Sequence, residues 1–276
     1  MNDAVRITVL VENGAGAPNL AAEHGLSLWI ETPAGPVLFD TGQGPALPSN
    51  AAALNIPVAD ARAVVLSHGH YDHTGGLAWF LEQNRSACVV LDPEAGKERY
   101  SLRDGVRAIG MPAPARAALA AAGGRVTWSA QPVEVAPNVW TTGEIPRATD
   151  YEDVGGPFFL DAGGKTPDRL PDDQALWTEC ARGLVVVLGC AHSGVVNTLE
   201  YIAKLTGTRQ FHAVLGGMHL AAASQERLAA TAAALTRYDV AVLGPGHCTG
   251  DAAAAYLAEH TACRLWPCHA GKVLTL

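Results

Sequence analysis

Between positions 67 and 73 the chain reads Ser67-His68-Gly69-His70-Tyr71-Asp72-His73, directly after the apolar run Val64-Val65-Leu66. Three histidines and an aspartate within six positions at the end of a buried-type strand constrain the chain more than any other feature. Imidazole nitrogen and carboxylate oxygen are the donors that zinc, iron and manganese accept, and a strand-end loop is able to turn several of them toward one point. Gly69 keeps such a loop compact, and Gly75-Gly76 lets the backbone approach closely before the next helix. The competing reading, a polar loop with merely exposed histidines, does not explain the His-x-His-x-Asp-His spacing after a hydrophobic strand.

The surrounding pattern is that of one α/β domain. Short β-rich runs at 5–11, 26–31, 37–39 and 64–66 are separated by Gly, Pro and Asn clusters, as strands joined by turns are. Residues 77–83 have helical spacing and 87–91 return to strand. The second half then repeats a strand–helix unit three times, with strands at 184–188, 212–215 and 240–243 and helices from about 195, 224 and 251. Each of these strands ends in a glycine-containing turn that carries a histidine. Residues 1–276 therefore read as a single domain, with two irregular segments, 92–114 and 143–173, as candidate lids.

Composition narrows the function. With 276 residues, 49% of them hydrophobic, the chain is able to bury a large core. The short apolar run 7–11 is far below what a signal peptide or a membrane span needs, so a soluble, cytoplasmic protein is expected. A net charge of -8 without any Lys/Arg run argues against a nucleic-acid partner, while the acidic balance by itself says little about a small-molecule substrate, the partner expected here. A homo-oligomer is compatible with the chain. Six cysteines, at 88, 180, 190, 248, 263 and 268, lack the paired short spacings of a disulfide framework or a zinc knuckle. Cys190 and Cys248 flank candidate ligands, where a thiol either coordinates a soft metal or packs as a small apolar group.

The motif resembles the signature of the metallo-β-lactamase superfamily, and Asp40-Thr41-Gly42 is similar to its upstream strand-end element. Glu23-His24-Gly25, Gly143-Glu144-Ile145-Pro146-Arg147, Cys190-Ala191-His192-Ser193-Gly194, Gly216-Gly217-Met218-His219 and Gly246-His247-Cys248-Thr249-Gly250 more narrowly resemble the 7,8-dihydropterin-6-yl-methyl-4-(β-D-ribofuranosyl)aminobenzene 5'-phosphate synthase-like subfamily. The resemblance implies a four-layer αββα sandwich with a dinuclear site at one edge. By position, His68, His70 and His192 would hold one metal and Asp72, His73 and His247 the other, with Zn2+ expected as one or two ions and Fe or Mn as substitutes. The superfamily usually carries a bridging aspartate on the strand before its last histidine ligand. Here that strand end has none, and His219 stands as the candidate ligand.

A three-histidine site leaves a position for water, which the metal activates. The implied activity is thus a metal-dependent hydrolase acting on a small anionic or ester-like substrate, with Asp72 orienting the water or accepting its proton. His24, Arg147, Ser193 and Asn197 are the substrate-binding candidates: Arg147 as a bidentate anion clamp, and Ser193 and Asn197 at a helix start that favours anions. Each has a structural alternative: a loop-anchoring salt bridge for Arg147, an N-cap for Ser193. Other functions stay open. The subfamily resemblance suggests a pterin and ribosyl-aminobenzene phosphate synthase-like transferase, and the same fold hosts iron-dependent redox enzymes. A non-catalytic metal-binding protein is the remaining class.

Overall fold

The computed structural model describes residues 4–276. Two seven-stranded mixed sheets form its frame. The first runs in the order Val273–Thr275, Arg6–Val11, Ser27–Thr32, Gly35–Phe39, Ala63–Val65, Cys88–Leu91, Val126–Trp128. The second runs Arg264–Leu265, Val242–Gly246, Phe211–Gly217, Gly183–Leu188, Leu176–Cys180, Val139–Thr141, Val133–Ala136.

Side-chain alternation along these strands makes four layers, because successive residues of a strand face opposite sides. Val185 and Val187 join Ile7, Val9, Val37, Phe39, Val65 and Leu215 in a core between the sheets. Leu184, Val186 and Leu188 point the other way, into a core shared with the helices Val195–Thr206, Gln225–Arg237 and Asp251–His260. Leu38, Val64 and Val89 do the same on the outer face of the first sheet, under Ala46–Ala53, Leu77–Gln83 and Ala113–Ala122. The expected αββα sandwich is the observed architecture.

Most expected elements stand within two residues of their sequence-derived bounds. The strand expected at 240–243 is shifted to Val242–Gly246, because the Val240 N–H turns back to the Leu235 carbonyl (3.1 Å) and closes the preceding helix. The helix expected from about 224 starts at Gln225, with the Ser224 side chain accepting from the Arg227 N–H as its cap.

The two irregular segments, 92–114 and 143–173, meet each other in the fold. Parts of both build a separate three-stranded sheet, Phe158–Phe159, Tyr100–Ser101 and Arg107–Ala108, over the site. The two segments are also tied to each other in the interior: Arg99 donates from Nε to Asp168 (2.7 Å) and from Nη2 to Asp172 (2.6 Å), all three shielded from solvent. Breaking a buried arginine away from its carboxylates is costly, so this part of both segments is anchored.

Candidate metal centre

The site lies where the strands Gly35–Phe39, Ala63–Val65, Gly183–Leu188, Phe211–Gly217 and Val242–Gly246 end. Within each sheet these strands run parallel, so their carboxyl ends and the loops that follow gather at one edge. That is where open α/β sheets carry their ligands. The loops are tight: Asp40, Ala191, His219 and His247 adopt left-handed backbone (φ 59, 45, 49 and 54), which non-glycine residues rarely do unless their surroundings hold them there. Gly69 answers a different need, since a Cβ there would lie 2.0 Å from the Ala95 carbonyl oxygen.

Four of the histidines are held by the nitrogen facing away from the centre. The Nδ1 of His68 lies 2.9 Å from Ser67 Oγ, that of His73 2.7 Å from Asp40 Oδ2, that of His192 2.8 Å from the Val154 carbonyl and that of His247 3.0 Å from Asn13 Oδ1. With Nδ1–H donating outward, the Nε2 lone pair is left facing inward, which is how protein frameworks fix metal-binding imidazoles. The inward atoms meet. His68 Nε2 is 3.0 Å from His70 Nδ1, and His73 Nε2 is 3.2 Å from His247 Nε2. Asp72 Oδ2 lies 3.2 Å from His24 Nε2, 3.4 Å from His247 Nε2 and 3.8 Å from His73 Nε2.

Asp40 is the common support. Its Oδ1 accepts the Ser67 N–H (2.7 Å), and its Oδ2 accepts the Ser67 hydroxyl (2.7 Å) as well as His73 Nδ1–H. One buried carboxylate thereby orients both His68, through Ser67, and His73. The adjacent pair Asp172 and Asp173 fixes the two halves of the centre to each other. Asp172 accepts the Gly69 N–H (2.8 Å), and Asp173 accepts the Ser193 N–H (2.7 Å) beside His192. Glu12 accepts the His247 N–H at 2.7 Å.

The electrostatics favour cation binding. Burial first, and then the repulsion of neighbouring imidazoles, hold His68 and His192 well below the ordinary histidine value, so both are neutral donors at neutral pH. Burial also lowers His70, with Arg99 adding to it against the pull of Asp72. Burial would raise the Asp72 carboxyl, yet His73, His24 and His247 hold it well below the usual carboxylate range. Burial pushes the Cys190 thiol well up. His192 Nε2 and His219 Nδ1 are buried with no hydrogen-bond partner, although buried polar atoms are nearly always paired.

The donor atoms fall into clusters fit for an ion. His68, His70 and His192 bring one atom each within 4.8 Å of one another, as do His24, Asp72 and His247. The structure therefore brings together every metal-ligating candidate named from the sequence, with His73 between the clusters and His219 beside His192 at 4.4 Å between ring centroids. His24, expected against substrate, sits among the ligand-type atoms on the exposed side of Asp72.

The other substrate-binding candidates lie elsewhere. Arg147 donates to the carbonyls of His192 (2.8 Å) and Arg169 (2.7 Å), on the far side of the His192 loop and away from the cleft over the centre. Asn197 accepts from the Ala148 and Thr149 N–H groups and donates to Thr149 Oγ1 and the Ser193 carbonyl, so no polar atom of its side chain is left for substrate. Ser193 is buried against Asp173. The start of helix Val195–Thr206 is taken by Glu152, which accepts the Val196 and Asn197 N–H groups at 2.9 and 2.8 Å. An internal carboxylate occupies the anion position.

A cleft of about 370 Å³ opens over the centre. Its walls include Arg103 and Arg107 from the small sheet, together with Phe158, whose ring lies 5.3 Å from that of His70. Sequence reasoning missed these arginines. They lie in a segment with no periodic signal, and only the three-stranded sheet carries them to the cleft.

Residues 21–247 match the family model of the metallo-beta-lactamase superfamily. The chain belongs to that superfamily. Metallo-beta-lactamase folds bind metal ions, and the ligand clusters here fit that property in donor type and in burial. A curated relative from Methanocaldococcus jannaschii, 7,8-dihydropterin-6-methyl-4-(beta-D-ribofuranosyl)-aminobenzene-5'-phosphate synthase, is 30% identical over 99% of this chain and 97% of its own. The solved structure of Tm1679, a metal-dependent hydrolase of the beta-lactamase superfamily, superposes with a TM-score of 0.84 at 29% identity, over 98% of each chain. Zn(2+)-bound PqqB from Methylobacterium extorquens shares the fold at a TM-score of 0.56 and 14% identity, covering 98% of this chain and all of its own. Among the described residues no helix is long and apolar enough to cross a membrane.

Proposed function

We propose that this chain is a metal-dependent hydrolase of a small anionic substrate. The observation that carries the reading is the convergence of imidazole nitrogens whose opposite nitrogens are tied outward to Ser67, Asp40, Val154 and Asn13. His68, His70 and His192 would hold one ion, and Asp72, His73 and His247 a second, with zinc preferred because the donors are imidazole and carboxylate with thiols alongside. A cation there supplies Lewis-acid polarisation and brings the pKa of water down toward neutrality.

The chain's own residues supply the rest. Asp72 is ionised at neutral pH, so its Oδ2 is an acceptor that orients a reacting water and not a store for its proton. Asp40 and Ser67 keep the imidazoles of His68 and His73 aimed. Arg103 and Arg107 present guanidinium groups to the cleft, which favours an anionic substrate, and Phe158 covers the His70 side from water.

The test is turnover of phosphodiesters, phosphomonoesters and lactones by purified protein before and after chelation. Hydrolysis that disappears with the metal and returns on its re-addition supports the proposal. Absence of hydrolysis across that panel by metal-loaded protein contradicts it. A second reading is supported by the 30% identity to the M. jannaschii synthase over nearly its whole length. It would use the same centre to join a pterin to a ribosyl-aminobenzene phosphate. Condensation of those two partners by metal-loaded protein, without hydrolysis of either, would favour that reading.

A further inference from the structure

Two positions at one strand end raise a steric question that the histidines do not answer. On Phe211–Gly217, a Cβ at Gly216 would lie 2.0 Å from the Leu188 carbonyl oxygen, and one at Gly217 would lie 2.4 Å from the Gly189 carbonyl and 2.7 Å from Cys248 Sγ. No carboxylate side chain fits at either position. The space at Gly217 that an acidic residue would need is filled by the sulfur of Cys248, with the Cα of Cys190 next to it, 3.3 Å from the same Cβ position.

The sulfur beside it is central to the site. Cys190 Sγ lies 3.2 Å from His73 Nε2, and it shares ion-sized clusters with His68 and His73, with His192 and His219, and with His247 and Cys248. No other side chain belongs to three of the clusters found among the described residues. His192 Nε2 and His219 Nδ1, both buried and without a hydrogen-bond partner, belong to side chains of one of these clusters. The histidine-rich and the aspartate-containing halves of the centre thus meet at this thiol.

We propose that Cys190 is a metal ligand shared between the two halves of the centre, in a site whose neighbouring strand end sterically excludes a bridging carboxylate. Binding forms a metal–sulfur bond and releases the S–H proton to solvent. A thiolate in this place biases the centre toward zinc, cobalt and cadmium and away from magnesium and manganese, since soft donors select softer cations. The inference rests on the metal centre and not on the reaction proposed for it.

Cobalt substitution tests it without any turnover assay. Protein reconstituted with Co2+ is expected to show a near-ultraviolet sulfur-to-cobalt charge-transfer band that survives in Cys88→Ser and disappears in Cys190→Ser, with zinc affinity in the latter reduced at least about 10-fold. X-ray absorption at the zinc edge of the unaltered protein gives the same answer even where Cys190→Ser folds poorly: a sulfur scatterer at about 2.3 Å is expected. Full metal loading with nitrogen and oxygen scatterers alone would overturn the inference and leave the metal centre standing. A band that persists in Cys190→Ser and vanishes in Cys248→Ser would overturn it in favour of the neighbouring thiol. Failure to bind any metal would remove both readings.

Discussion

The loop at His192 has two sides, and they use similar chemistry for opposite ends. On the cleft side, His192 Nε2 is buried without a partner, and the donor atoms of His68 and His70 crowd against it. On the far side, Arg147, Asn197, Ser193 and Glu152 form a network in which charge and hydrogen-bonding capacity are used internally. Both sides are rich in polar groups. What separates a binding site from a structural anchor is whether the polar atoms are already satisfied, because an unpaired buried donor or acceptor is costly unless something else meets it.

Mutation should separate the two sides. The largest effect is expected from His70→Ala on the cleft side: metal content and metal-dependent turnover lost, with the melting temperature of the metal-free protein little changed. Retained turnover at full rate would place the chemistry elsewhere. Asp40→Asn should weaken metal binding about 10–100-fold, since an amide turns an NH2 donor toward either the Ser67 N–H or the Ser67 hydroxyl and His73 Nδ1–H, where the carboxylate accepts all three. A metal-binding isotherm checks this, and unchanged affinity would remove Asp40 from the centre.

On the far side the pattern should invert. Asn197→Ala strands the Ala148 and Thr149 N–H groups and should cost about 2 kcal/mol or more of stability in denaturant unfolding while metal affinity stays as it was. Arg147→Met should lower stability and leave KM for an anionic substrate unchanged, and a raised KM would return Arg147 to the binding role read from the sequence. The smallest effect is expected at Asp92, whose carboxyl burial pushes up to about 6. Because the folded protein holds this proton more tightly than the unfolded chain, stability falls as pH rises from about 4 to about 6 and stays lowered above. Asp92→Asn keeps an oxygen to accept the Glu94 N–H and should therefore raise the melting temperature at pH 8 but not at pH 4.

The cleft side was legible in the sequence because metal ligation demands particular residue types at particular spacings. His68, His70, Asp72 and His73 stand on one loop, and His192, His219 and His247 each follow a glycine-bearing strand end. The sandwich was legible for a related reason, since two-residue alternation on strands such as Gly183–Leu188 feeds two cores at once. The supporting residues were not. Asp40 reaches Ser67 and His73 from 27 and 33 positions away, and Asp172 reaches Gly69 across 103, so only the folded chain reveals those pairings. Arg147 and Asn197 stood out because an arginine in a Gly-Pro loop and an asparagine at a helix start have the right chemistry for an anion. Which partner takes their hydrogen bonds is decided by tertiary contacts that no local pattern encodes.

The most direct test of the metal centre is the metal content of protein purified without added metal, measured by elemental mass spectrometry before and after dialysis against a chelator. One or two equivalents of zinc per chain, removed by the chelator and restored from solution in the unaltered protein but not in His70→Ala, is the predicted result. A chain that carries no transition metal as purified and takes up none at micromolar excess would contradict the account.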